Sequence, residues 1–467
     1  MGLRRRDVLK VMGSSIAGAA ATKMTIKNAS ADIIQTIEAD VVVVGGGSAG
    51  TYTAVRLGDL GKSVVVVEAK DRLGGHAETV DDSATGGVPI DIGVVVFEAV
   101  PLVTNYFARF NTPLAPVNLG GGAGTAYVDF RSGQTVNYTP PSAAAEGAAI
   151  GEYLQLLATQ FPYLDSGFNL PNPVPADLLG TFGAFVQKYN LGAIAQLAFA
   201  FGQGLGNLLE DPALYVLKNF SLSVVGTFAQ GGFLSAVNGT SQLYTNIGAY
   251  LGNKVLYNSQ VVAASRGANG VEVDVLTPQG LKRIRAGKLV VAIPPTLPNL
   301  LPLVPTLEEA ALFSLFRSNY YTTALVKLAG IPPYETVSNV APETPYNLAP
   351  LPGIYGLQPT AVEGLWNCKY GSATWLPDAV IQANIVADIN RLSRTFSGAK
   401  FEQFLAYSNH SPFEMMVSPQ EIAAGFYSRV NALQGQNSTF YTGAAFQTND
   451  SSLIWAFTES LLPSIAA

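Results

Sequence analysis

The sequence predicts an α/β fold built on a parallel sheet, and three observations carry that prediction. Val41 to Val44 is an uninterrupted β-branched run, the mark of a strand covered on both faces. Gly45-Gly46-Gly47-Ser48-Ala49-Gly50 follows at once and opens an amphipathic helical pattern running to about Leu60, with Gly61 as its C-cap. Ser63 to Val67 is a second apolar strand, ended by Glu68. Strand, helix and strand in that order make a βαβ unit.

Each glycine of the first turn has its own task. Gly45 permits a tight exit from the strand. Gly47 has no Cβ, so backbone can approach a pyrophosphate, and Gly50 lets the helix pack on the strand. Ser48 and Ala49 begin the helix, whose free N–H groups and positive dipole end suit phosphate oxygens. Glu68 follows the loop at about twenty residues, where a carboxylate accepts hydrogen bonds from both ribose hydroxyls and repels a 2′-phosphate. A Gly-x-Gly-x-x-Gly framed by strand, helix, second strand and terminal acid predicts an adenine dinucleotide; alone it leaves NAD and FAD both open.

Bulk properties narrow the function classes. A chain of 467 residues holds two or three domains, or one large two-part α/β enzyme. Hydrophobic residues make up 48% and charged residues 13%, enough apolar material for a large core and an apolar cavity. A net charge of −6, without a basic cluster beyond the extreme N-terminus, argues against nucleic acid. The single cysteine, Cys368, excludes an intrachain disulfide and a thiolate metal cage and reads as a buried thiol. With only His76 and His410 available, no metal site is expected.

Residues 1–31 read as a leader. "RRRDVLK" (Arg4 to Lys10) resembles the bacterial twin-arginine export signal, Val11 to Ala21 is mildly apolar, and Ala29-Ser30-Ala31 resembles a cleavage site. Export to the periplasm or beyond is expected if that signal is used, and a cytoplasmic location otherwise. A eukaryotic source would remove the twin-arginine reading and give weight to sequons such as those at Asn219 and Asn437. Leu191 to Leu209 is uncharged, but Gln196, Gln203, Asn207 and four glycines point to a buried or cavity-lining helix, so no membrane span is expected.

The continuation of the first unit decides between the two dinucleotides. "EAKDRLGGH" (Glu68 to His76) resembles the Glu-Ala-Arg-Asp-Arg-x-Gly-Gly-Arg stretch of the flavin-containing amine oxidase superfamily, which implies FAD. By that resemblance, Gly74 and Gly75 run against the ribitol and pyrophosphate. Ala69 and Lys70 lie near the adenosine, and Arg72 buttresses the turn. His76 stands where arginine is usual, which makes the charge there pH-dependent.

The resemblance also implies a flavin domain built from three segments. Asn238 to Pro295 resembles the second segment: a helix, a hairpin turning at Pro278-Gln279-Gly280, and a buried strand at Leu289 to Ile293. There the residue matching Val261 holds adenine through its backbone. Ser438 to Ile465 is the last return, with a strand to Tyr441, a turn past Gly443 and a helix starting near Ser451-Ser452. The family aims the N-terminus of that helix at the flavin C2=O, where it would stabilise negative charge. Asn449, Asp450, Ser451 and Ser452 are suitable capping residues, whereas Ala444 stands where most relatives carry a cofactor-contacting Glu.

The expected division is therefore a leader (1–31), a Rossmann-like FAD-binding domain (32–100, 236–296 and 424–467), and a second, substrate-binding domain from two insertions (101–235 and 297–423). Trp366, Tyr370 and Trp375 are candidate cavity aromatics, although ordinary core packing is the favoured reading for any one of them. The glycine cluster near 119 to 126 reads as a loop.

Within the superfamily, "DPALYVLKNF", "NGTSQL", "TALVK" and "AAGFYSRVNALQGQNSTFYTG" resemble a smaller group that includes polyenoic fatty acid isomerase and β-cyclopiazonate dehydrogenase. Amine oxidases usually hold a lysine against flavin N5 through a water. In the matching strand, "NYYTTALVKLAG", Lys327 falls too late, and Tyr321 or Thr322 sits nearer that position. The expectation is an FAD-dependent oxidoreductase taking a hydride from a largely apolar small molecule onto flavin N5, with oxygen or another electron acceptor. No catalytic residue is identified. The alternative is a redox-neutral isomerase of unsaturated fatty acids. A non-catalytic carrier is disfavoured by the intact phosphate loop and acid.

Overall fold

The computed structural model describes residues 33–117 and 124–467, so the leader and residues 119–123 of the expected glycine loop lie outside the described residues. The first strand, β1 (Gln35–Val44), changes character along its length: Gln35 to Asp40 alternates in exposure, whereas Val41 to Val44 is buried throughout. That change marks where the strand leaves a half-solvated sheet and enters a covered one. Helix α1 (Ser48–Asp59) and strand β2 (Val64–Val67) complete the βαβ unit. Gly61 follows α1 at φ +78°, in the left-handed region that suits the end of a helix.

The chain re-enters this sheet with β3 (Val255–Leu256), β4 (Gln260–Gly267), β5 (Gly270–Thr277) and β6 (Gly280–Val291). The order is β3-β2-β1-β6-β5-β4, and Thr439–Tyr441 also pairs with β6. Strands β3, β2, β1, β6 and Thr439–Tyr441 are parallel neighbours; β4, β5 and β6 form an antiparallel meander. The meander turns tightly at Pro278-Gln279, since Thr277 and Gly280 already pair. Hairpin strand and buried strand were expected to be separate. They are one twelve-residue strand, β6, because its first half serves the meander while its length stays in register with β1 from Gln35↔Lys282 to Val44↔Val291.

A second sheet runs through the stretches expected as insertions. Its order is β9 (Lys400–Asn409), β7 (Tyr320–Ala329), β8 (Leu365–Ser372), Gly353–Pro359, Glu335–Asn339, Gly124–Asp129 and Gln134–Thr135. Gly124 to Ala126, assigned to a loop from the sequence, thus begin a strand that pairs parallel with Glu335–Asn339. One face of this sheet packs Trp366, Cys368 and Tyr370 against Ile381, Ile385 and Ile389 of the helix Asp378–Arg391. Leu191 to Leu209 is not one helix. A turn at Gly192–Ile194 leads into the short helix Ala195–Phe201, which stops at Gly202. Among the described residues no helix is long and apolar enough to cross a membrane.

Helix α2 (Ser451–Ala466) returns to the first sheet and lies beside α1. The two are matched residue by residue. Ser48 Oγ donates to Ser451 Oγ at 3.1 Å, Tyr52 stacks on Trp455 with ring centroids 5.3 Å apart, and Arg56 pairs with Glu459 at 2.5 Å. Steps of four residues on both helices make the pair parallel, with both N-termini at the same end.

Candidate active site

Register places the ends of five parallel strands at one edge. Val44 pairs with Val67 and with Val291; Val67 pairs with Leu256, and Val291 with Tyr441. The residues leaving that edge are Gly45, Glu68, Tyr257, Ala292 and Thr442. In open parallel sheets ligands bind outside this carboxyl edge.

The first turn is shaped as a cradle. Gly45 has φ +105°, and a Cβ there would sit 2.7 Å from Ile293 Cγ2 and 2.8 Å from the Ala292 carbonyl oxygen. A Cβ on Gly50 would collide with the Gly45 carbonyl. Gly47 differs: a Cβ there meets nothing closer than Gly75 Cα at 3.8 Å, which leaves open space above the turn. Gly47 is the N-cap of α1 and offers no side-chain cap, so no side chain covers the first-turn N–H groups of Ser48, Ala49 and Gly50. Ser48 is tied by Trp455, whose Nε1–H donates to its Oγ at 2.9 Å.

Glu68 is 7% exposed and organises the second turn. Its Oε2 accepts the Gly46 N–H at 2.6 Å and its Oε1 accepts the Lys70 N–H at 2.7 Å. Each carboxylate oxygen keeps a lone pair for a further donor. Ala69 is exposed beside it. Val261 lies two residues beyond Ser259, whose N–H donates to the Glu68 carbonyl at 2.9 Å. Gly74 bridges to Gly47 and donates its N–H to the Gly46 carbonyl at 2.9 Å, so the two glycine turns lie side by side. Arg72 buttresses this arrangement. Its guanidinium donates to Ala77 O at 2.9 Å and Gly75 O at 3.3 Å, and pairs with Glu78 at 2.9 Å. Lys70 Nζ also reaches Gly75 O at 3.3 Å. Gly443, at φ +113°, sits over Ala49. The structure thus gathers Gly45, Gly47, Ser48, Ala49, Gly50, Glu68, Gly74, Gly75 and Gly443 around one edge.

The N-terminus of α2 carries a polar network of its own. Asp450 caps it, its carboxylate accepting the Leu453 N–H at 3.0 Å. The Ser452 hydroxyl is committed to Glu98 at 2.5 Å and to Asp450. Burial, with Asp450 nearby, pushes the Glu98 carboxyl up to about 7. Any cofactor contact at Ser452 therefore falls to its backbone, and Asp450 offsets part of the positive helix end.

The second sheet supplies the opposite wall. Residues paired across β7 and β8 share a face, so Tyr321, Thr323 and Leu325 align with Gly371, Lys369 and Asn367. This face meets the segment after the second glycine turn: Asn367 Nδ2 donates to Asp91 O at 3.2 Å, and Ser408 Oγ to Glu78 at 2.8 Å. Tyr321, Tyr355 and Phe413 form its aromatic surface, with Tyr321–Phe413 centroids 4.8 Å apart. Trp366 and Tyr370 are on the far face in core packing, and Trp375 is 60% exposed, so none of the three lines this wall. Thr322 also points to the far face, being paired with Tyr370, whereas Tyr321 is on the near one. Lys327 is exposed and pairs with Glu402.

The two histidines meet here. His76 stacks on His410 with centroids 4.4 Å apart and faces Phe413 at 5.9 Å. Burial, reinforced by Lys70 and Arg72, pushes His76 down to about 4, and burial also holds His410 well below the ordinary histidine value. The expected pH-dependent charge at position 76 is thus absent at neutral pH, because the ring is enclosed by aromatic and cationic neighbours. A lysine missed from the sequence, Lys369, reaches the same face from β8, and burial pushes it down to about 8. The signal was the alternation in "WNCKYG", which places Lys369 opposite Trp366, Cys368 and Tyr370.

Comparison with known proteins identifies the family. The family described as flavin containing amine oxidoreductase matches residues 48–329. An FAD-dependent oxidoreductase of Cochliobolus heterostrophus, oblC, is 39% identical over 98% of this chain and 97% of its own length. The β-cyclopiazonate dehydrogenase of Aspergillus oryzae is 34% identical over 93% of this chain and 95% of its own. Among solved structures, the CLA-producing fatty acid isomerase from P. acnes shares the fold with a TM-score of 0.73 at 19% identity, covering 91% of this chain and 98% of that one. Putrescine oxidase bound to putrescine gives 0.65 at 16% identity, covering 92% and 100%. With a dinucleotide cradle at the carboxyl edge of a parallel sheet and relatives aligned over nearly its whole length, the chain belongs to the flavin containing amine oxidoreductase family and is an FAD-dependent oxidoreductase.

Proposed function

We propose that the protein oxidises a largely apolar small molecule held between the second sheet and the paired glycine turns. The single observation behind this reading is that the aromatic face of Tyr321, Tyr355 and Phe413 stands against His76, directly after Gly74-Gly75. The residues present fit FAD. The open space above Gly47 and the uncovered first turn of α1 suit a pyrophosphate, and the spare Glu68 lone pairs suit ribose hydroxyls. Gly45, Gly47, Ser48, Ala49 and Gly50 would hold the phosphates. Glu68, Ala69, Lys70 and Val261 would surround the adenosine, and Gly74, Gly75, His76, Gly443 and the Ser452 backbone would flank the rest.

FAD, when bound, supplies a hydride acceptor at N5 for a substrate C–H bond. The chain's part is to orient that bond and to exclude water. Tyr321 is 7% and Tyr355 5% exposed, so a substrate against them is held by ring contact in a dry environment. His76 and His410 stay uncharged at neutral pH, which keeps this wall compatible with an apolar ligand.

The test is anaerobic mixing of the flavin-loaded protein with parallel sets of amines, unsaturated fatty acids and indole-type compounds. Bleaching of the flavin band by one set, followed by recovery with air or a dye, supports the proposal and assigns the acceptor. A double-bond shift without any acceptor would replace oxidation with redox-neutral isomerisation. A protein that takes up no flavin would overturn both.

A further inference from the structure

Three buried polar atoms on or beside the near face of the second sheet have no hydrogen-bond partner: Thr323 Oγ1, Asn367 Oδ1 and His410 Nε2. Thr323 is 1% and His410 2% exposed, so solvent does not satisfy them. Buried polar atoms are seldom left without a partner, and three along one face of a sheet point to a partner still to be supplied. Thr323 and Lys369 are directly paired across β7 and β8, and Asn367 follows Lys369 by one pleat on the same face. The Lys369 ammonium makes no ion pair with a described residue. The other charged groups turned toward His410 are also cations, Lys70 and Arg72. Arg72 is already paired with Glu78 and Lys70 with a carbonyl, which leaves Lys369 uncommitted.

We propose that Lys369, Thr323, Asn367 and His410 form the anchor for an acidic oxygen of the substrate, a carboxylate or an enolate. This rests on the oxidoreductase site proposed above and adds the polar end of its ligand. Lys369 supplies the charge, and the Thr323 hydroxyl and the His410 ring N–H supply hydrogen bonds. Asn367 Oδ1, an acceptor, takes a hydrogen bond from the Lys369 ammonium or from the hydroxyl of a neutral enol. The apolar remainder of the substrate then runs along Tyr321, Tyr355 and Phe413. The site selects a molecule that is apolar over most of its length and anionic at one end.

The probes are phenylbutanoate, a carboxylate, and dimedone, an enolate, each compared with the neutral phenylbutanamide. Binding is read twice, by perturbation of the flavin band and by thermal shift. Wild-type protein is expected to prefer at least one anion to the amide by roughly tenfold or more, the scale of a charge-assisted contact. K369M should abolish the preference with flavin content unchanged, K369R should keep it, and T323V should weaken it severalfold. Preference for phenylbutanoate alone assigns a carboxylate, and for dimedone alone an enolate. Should K369M not fold, N367L combined with T323V carries the same comparison. An undiminished preference in K369M, or none in wild type, overturns the inference. A flavin-free protein that still shows the Lys369-dependent thermal shift would keep this anchor while refuting the oxidoreductase site. Redox turnover without Lys369 dependence would do the reverse.

Discussion

The first glycine turn allows a prediction in which steric clash and backbone strain are separated. In G45A the new Cβ would sit 2.7 Å from Ile293 Cγ2 and 2.8 Å from a backbone oxygen, at φ +105°. Strain of this kind costs on the order of 1–3 kcal/mol and overpacking against backbone a further 1–3, so a loss of about 2–6 kcal/mol is expected. Two neighbouring glycines serve as references. Gly61 also has positive φ, +78°, but a Cβ there meets nothing within 4 Å, so G61A should show only the strain, about 1–3 kcal/mol. Gly58 lies within α1, and its Cβ would be 3.9 Å from the Tyr250 hydroxyl, so G58A should be neutral or stabilising by up to about 1 kcal/mol. Urea denaturation measures the three stabilities, and the ratio of visible to ultraviolet absorbance measures flavin content. G45A alone should lose flavin, because relief of the clash moves the turn away from Ala292. A G45A protein as stable as G61A and fully loaded with flavin would refute the steric account of the cradle.

Other expectations follow from the packing. W455F keeps the stack on Tyr52 but removes the donor to Ser48, so it should cost about 1 kcal/mol and raise the flavin dissociation constant, read by thermal melts and by titration of apoprotein. Arg266 and Glu309 form an ion pair with side chains only 4% and 1% exposed; R266M strands the carboxylate and should cost about 3–5 kcal/mol in urea. Burial pushes the Glu414 carboxyl from its ordinary 4.5 up to about 8. Its folded-state value is the higher one, so its contribution is complete below the unfolded value and is lost as pH rises through about 8. E414Q should therefore gain on wild type across that window, by at most about 1.4 kcal/mol per pH unit, and level off above it. Parallel curves for the two proteins across that range would contradict the assignment.

Local chemistry made the first unit legible. Val41 to Gly50 and Glu68 act through backbone conformation and short-range geometry, which the residue types themselves encode. Likewise Asp450-Ser451 announced a helix start, and a helix starts there with Asp450 as its cap. What the sequence hid depends on neighbours brought from afar. Trp366 and Tyr370 could serve a cavity or, more readily, the core; strand alternation sends both to the core and turns Lys369, which the sequence did not single out, to the site. His76 looked titratable until its stacking partner, more than three hundred residues on, enclosed it. The unity of β6 was equally invisible, because its halves differ in composition while a single partner, β1, holds them in line.

The pairing of α1 with α2 also bears on biosynthesis. Ser48 and Arg56 find their partners 403 residues further along the chain. At roughly 5–20 residues per second, a ribosome takes on the order of 20–80 s to cover that interval. Throughout it, Tyr52 and the glycine turn are without the indole that seats them, so the nascent chain has a half-built nucleotide pocket with an uncovered greasy flank. A chain cut short before Trp455 is therefore expected to hold flavin weakly or not at all, because the nucleotide turn never receives its seat.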